Sequence, residues 1–78
     1  MTKPEYFKPL ALVGGFIEYK YHTGGTGIIN ARSVMRIEHD PTIPDTRSGA
    51  IIFFMNDSSL PVQGKLEDWK AAIMEAVR

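Results

Sequence analysis

The stretch FIEYKYHTGGTGIIN, residues 16–30, decides how the chain folds. Apolar and polar side chains alternate over residues 16–22. Ile17, Tyr19 and Tyr21 fall on one face; Phe16, Glu18, Lys20 and His22 fall on the other. Period two with aromatic and β-branched residues makes a half-buried strand. Gly24, Gly25 and Gly27 then crowd into four positions. A phosphate cradle needs backbone N–H groups at a helix N-terminus, and a Walker loop ends in Gly-Lys-Ser/Thr. Here Gly27 runs into Ile28-Ile29, residues that favour strand, and Gly-Lys-Ser/Thr is missing. The glycines therefore read as the turn of a hairpin, where positive φ is needed.

Working outward, LALV at residues 10–13 reads as a short strand before Gly14-Gly15. Residues 1–8, with Pro4 inside and Pro9 just after, read as a flexible arm on a single domain spanning 1–78. On the other side, Asn30 to Ser33 looks like a turn and VMRIEH, residues 34–39, like another strand. The run DPTIPDTRSG, residues 40–49, holds two prolines, two aspartates and a glycine. Such a run supports no regular element. AIIFFMN, residues 50–56, is apolar on both faces, which calls for cover on both sides. Asp57-Ser58-Ser59 turns the chain, and LPVQ is a last strand that Pro61 confines to an edge or a bulge. From Lys65 the apolar residues Leu66, Trp69, Ile73, Ala76 and Val77 follow one helix face. Glu67 and Asp68 occupy the first turn, where the helix dipole favours acids, and Gly64 marks the N-cap region. The expected fold is α+β: a small antiparallel sheet or partly open barrel of four or five strands, with one C-terminal helix.

The 78 residues include no Cys, so neither disulfides nor thiolate zinc sites staple the fold. A single core below about 80 residues rarely supplies more than ~3–5 kcal/mol. Self-association is therefore expected from size alone. Nine basic and nine acidic residues cancel and form no block, unlike the clustered basic footprint of nucleic-acid binders. No apolar run approaches the ~20 residues that span a bilayer. The N-terminus makes a poor signal peptide, so a cytoplasmic location in a bacterium, a phage or a host cell is the expectation.

Chemistry is thinly signalled. Glu38-His39-Asp40 invites a metal or acid–base reading, but strand geometry sends His39 to the face opposite Glu38 and Asp40. A metal needs at least a third protein ligand, and no spaced motif provides one. Ser33, Ser48, Ser58 and Ser59 sit in turn-like contexts, none in a nucleophile elbow. No enzyme, metal or cofactor is expected. Interaction surfaces are better candidates. Tyr19 and Tyr21 suit a wet apolar interface. In the 40–49 loop, Ile43 would be an exposed tip and Arg47 a polar anchor. Ile52 and Phe54 would meet a second copy across the doubly apolar strand. Lys20, Arg32 and Arg36 are the cations that folding would have to gather for nucleic-acid contact.

Residues 28–77 carry a pattern built on Ile29, Asn30, Val34, Ile37, Glu38, Phe53 and Val62, ahead of a closing helix. This order resembles small β-rich flagellar proteins of the FlbD type, and a related run occurs in LytTR DNA-binding domains. The resemblance implies a small β-rich module. The chain departs from it in the 40–49 loop, in Asp57-Ser58-Ser59 where a Gly is usual, and in its added N-terminal strands. No base-reading residue of the LytTR type carries over. Together these readings point to a non-enzymatic, homo-oligomeric protein-interaction module, a regulator or inhibitor of bacterial, phage or mobile-element type. The alternatives are a nucleic-acid-binding regulator and a small-molecule binder at a subunit interface.

Overall fold

The computed structural model describes residues 7–42 and 49–78. Among these residues, six strands form two antiparallel sheets of three. The first sheet holds β1 (Leu10–Leu12), β2 (Phe16–Lys20) and β3 (Thr26–Asn30), in that spatial order. A 3-10 turn, Ala31–Ser33, leads into the second sheet: β4 (Val34–His39), β5 (Gly49–Phe54) and β6 (Ser59–Gln63). A single helix, α1 (Leu66–Ala76), closes the chain. The α+β class and the C-terminal helix agree with expectation. The strand count does not: the expected four or five strands in one sheet or barrel are six in two sheets. The added strand is local. Ser59 extends the last ribbon, and Gly27-Ile28-Ile29 becomes a full partner of β2.

The opening glycines do two different things. In the turn between β2 and β3, the Tyr21 amide donates to Gly25 at 2.6 Å and the Gly24 amide to Tyr21 at 2.9 Å. Gly24 sits at φ 113°, a conformation that side chains resist. Gly27 lies directly opposite Tyr19 in the ladder, and a Cβ there would stand 2.6 Å from the Tyr19 hydroxyl. Its missing side chain is the space the tyrosine ring fills.

Ile17, Ile52, Val62 and Trp69 are fully buried at the centre of one shared core. Tyr21 bridges to Val62 across the two sheets, and the Gln63 amide donates to the Tyr21 carbonyl at 3.1 Å. The helix packs against β1, β2 and β4 through Trp69, Ala72 and Ala76, which recur at helical spacing. The Trp69 indole N–H donates to the Gln63 carbonyl at 2.8 Å, so burying the ring leaves no orphan donor. The N-cap is Lys65 rather than Gly64, and it makes no side-chain capping bond. Of the expected flexible arm, residues 1–6 lie outside the described residues, while Phe7 is half-buried and packs against the core.

The doubly apolar ribbon finds most of its shelter within its own chain. Ala50 and Ile52 are fully buried on the inner face. On the outer face Ile51 and Phe53 are half-buried. The Arg36 guanidinium lies over the Phe53 ring, 4.0 Å from its centroid, and its Nε donates to Glu38 at 2.6 Å. Ile51 stands between Glu38 and Pro61 in the register. The Arg36 guanidinium over Phe53, and Glu38 and Pro61 beside Ile51, thus partly cover the face expected to need a second layer. Met55 leaves the strand altogether and is exposed.

Candidate functional site

Several exposed apolar side chains gather on the outer face of the first sheet, while Met35, Met55, Met74 and Val77 are exposed elsewhere. Residues opposite one another in a ladder share a face. Leu10, Glu18 and Ile28 therefore form one row, and Leu12, Phe16 and Asn30 form the next. Ile28 is 60% exposed, Leu10 57% and Phe16 43%. Val13, in the turn joining β1 to β2, is almost fully exposed. Lys20 and Thr26 form the third row. Glu18 therefore stands between Leu10 and Ile28 in the middle row, with Phe16 on one side of it along β2 and Lys20, of opposite charge, on the other. The local cause is the tandem Ile28-Ile29: on a strand one must point in and the other out. Ile29 enters the core, and Ile28 is left outside.

The residues expected to form an interface are placed differently. Tyr19 belongs to the core, 7% exposed. Its ring meets Tyr21 edge to face with centroids 5.0 Å apart. Hydrogen bonding to the Tyr21 side chain, then burial, pushes the Tyr19 phenol up to about 12. Tyr21 is on the exposed margin of that core. Ile52 is fully buried within one chain and offers nothing to a partner; Phe54, half-buried, packs against the same core. Both point inward because the inner face of β5 is the Ala50–Ile52–Phe54 face. Ile43 and Arg47 lie outside the described residues.

The three cations are not gathered. Arg32 reaches back to the Gly14 carbonyl at 3.5 Å, beside the start of β2. Lys20 ends that strand, five residues beyond Gly15, or roughly 17 Å at strand rise. Arg36 lies on the second sheet and is engaged with Glu38 and Phe53.

Asp40, weighed above with Glu38 and His39 and set aside, sits in a polar cluster whose burial the sequence did not reveal. Asp40 is buried, 5% exposed. Its Oδ1 accepts from the Thr42 amide at 2.9 Å and the Thr42 hydroxyl at 2.7 Å. The hydroxyl bond, then the amide bond, hold the carboxyl below the ordinary aspartate value, with His22 and His39 assisting against the cost of burial. The fold brings both histidines near one carboxylate because β2 and β4 end at the same side. The Asp-Pro-Thr turn was the available signal, since an Asp side chain commonly bonds backbone two residues on. Among the described residues, no group of three or more His, Cys, Asp or Glu is placed to hold a metal ion. No helix among them is long and apolar enough to cross a membrane. Comparison with protein-family models, curated proteins and solved structures finds no match to this chain.

Proposed function

We propose that this protein is a non-enzymatic interaction module that associates with a second copy of itself through the outer face of its first sheet. One observation carries this reading: Phe16, with Leu10 and Ile28 diagonal to it on either neighbouring strand, leaves exposed apolar side chains grouped on one sheet face, and Val13 is exposed in the adjoining turn. Exposed apolar residues scattered singly need no explanation, whereas grouped ones mark interaction sites. The same face carries Glu18 and Lys20 on one strand, two positions apart. In a twofold dimer each surface meets its own image, so Glu18 of each copy can face Lys20 of the other. The two charges then specify an antiparallel register more than they add affinity.

Magnitude sets the kind of complex. Three strands at ~4.8 Å spacing and five residues at ~3.3 Å give a patch of roughly 15 by 17 Å. That is small beside a standard interface of ~800 Å² per partner. The dimer should therefore be weak and reversible, dissociating in the micromolar range or above. The test is sedimentation equilibrium of the wild type beside Ile28→Asp and Phe16→Asp. Concentration-dependent dimerisation that both variants abolish, with unchanged circular dichroism, supports the proposal. Association unaffected by both would refute it.

A further inference from the structure

A second surface lies on the other side of β1. A groove of about 420 Å³ runs between the β1 segment and α1, lined by Lys8, Pro9, Leu10 and Ala11 on one wall and by Asp68, Ala71, Ala72 and Glu75 on the other. The helix residues are spaced i, i+3, i+4, i+7, a single stripe of one face. Ala71 and Ala72 keep the helix wall low, and the aliphatic parts of the strand wall make the floor apolar. The acids stand at the two ends of the stripe, two turns or about 10.5 Å apart along the helix.

Two features identify the occupant. The first is the strand edge. β1 pairs with β2 on one side, and no strand among the described residues pairs with the other. A terminal strand presents peptide N–H and C=O groups that an extended chain can meet. The second is charge. Asp68 is half-buried and, among the described residues, has no ion pair or side-chain hydrogen bond. Glu75 has only an exposed pair with Arg78 at 3.4 Å. Against these two acids the groove offers one cation, Lys8. We infer that the groove between β1 and α1 seats an extended peptide segment of another protein. The peptide adds to the free edge of β1, lays its apolar side chains beside Leu10 on the outer face, and points its alternate, basic side chains toward Asp68 and Glu75 on the helix side. This goes beyond self-association and does not rest on it: Leu10 borders both surfaces, but the acids and Ala71 that define the groove lie on α1.

The test is fluorescence anisotropy with the full chain and three capped heptapeptide probes. One alternates lysine with valine; one alternates glutamate with valine; the third is the lysine peptide with alternate backbone amides N-methylated. The lysine peptide should bind, and added salt should weaken it. The glutamate and N-methylated peptides should each bind at least ~10-fold more weakly, since two exposed ion pairs or a lost ladder edge are each worth about that factor. Asp68→Asn combined with Glu75→Gln should remove most of the lysine preference. Ala71→Trp should block the groove, and Ala71→Arg, which cancels the net negative charge of its lining without the bulk of an indole, serves if the tryptophan variant loses its circular dichroism signal. No binding of the lysine peptide, equal binding of lysine and glutamate peptides, indifference to N-methylation, or unchanged binding in the folded Ala71 variant would overturn the inference.

Discussion

Two residues show how a side chain's neighbour fixes its chemistry. The Tyr19 phenol is pushed up to about 12 by its bond to Tyr21 and by burial. Its folded-state pKa lies above the unfolded one, so folding favours the protonated form. The contribution is complete below about 10 and is lost as pH rises from about 10 to about 12. Alkaline denaturation should therefore steepen in that window, and Tyr19→Phe should flatten it. An ultraviolet titration in which every tyrosine ionises together at the ordinary value would contradict this. Asp40 has the opposite sign. Its carboxyl is lowered chiefly by the Thr42 hydroxyl, so its contribution is present above the ordinary aspartate value and is lost as pH falls below it. Thr42→Val should shrink that acid-side loss, as read by chemical denaturation at a series of pH values. Gly27 is the steric counterpart of Tyr19. Gly27→Ala drives a methyl against a ring held by its neighbours, and should cost about 1–3 kcal/mol as an overpacked site. Thermal unfolding checks it.

At the scale of the element, β5 carries the main lesson. Its existence as a strand was legible from a short run of β-branched and aromatic residues, and so were β2, β4 and the helix, because such runs, alternation in β2 and i, i+3, i+4 spacing are local signals. Which face of β5 turned inward was not legible. A strand apolar on both sides has no polar face to mark the outside, so Ile52 and Phe54 were read as an interface while Ile51 and Phe53 hold the outer positions. The cover over Phe53 comes from Arg36, seventeen residues earlier in the chain, by a pairing that spacing alone does not reveal. Phe16 misled in the reverse way. It alternates with Glu18 and Lys20 and so passed as part of a solvent face, although its row partner Leu12 and diagonal neighbour Ile28 make that face apolar. Two variants separate these roles. Arg36→Ala removes a cation–π contact and an exposed ion pair and should cost about 1–2 kcal/mol without unfolding the protein. Ile52→Asp places an unpaired charge in a fully buried site and should abolish cooperative folding. A folded Ile52→Asp protein with native circular dichroism would mean the core is elsewhere.

For the whole molecule, the balance is set by size. The chain buries one core, ties its two sheets at the Tyr21–Val62 bridge, and closes the assembly with Trp69. What remains outside is distributed unevenly: the second sheet is dressed by Arg36, Glu38 and Pro61, and the first carries bare Phe16 and Ile28. On the proposed function, this bare face meets its own image in a second copy. Sedimentation equilibrium across the micromolar to millimolar range tests it most directly. The mass should rise reversibly from 8.7 kDa toward twice that value and stay at the monomer value in Ile28→Asp. A wild type that holds the monomer mass at every concentration would contradict it.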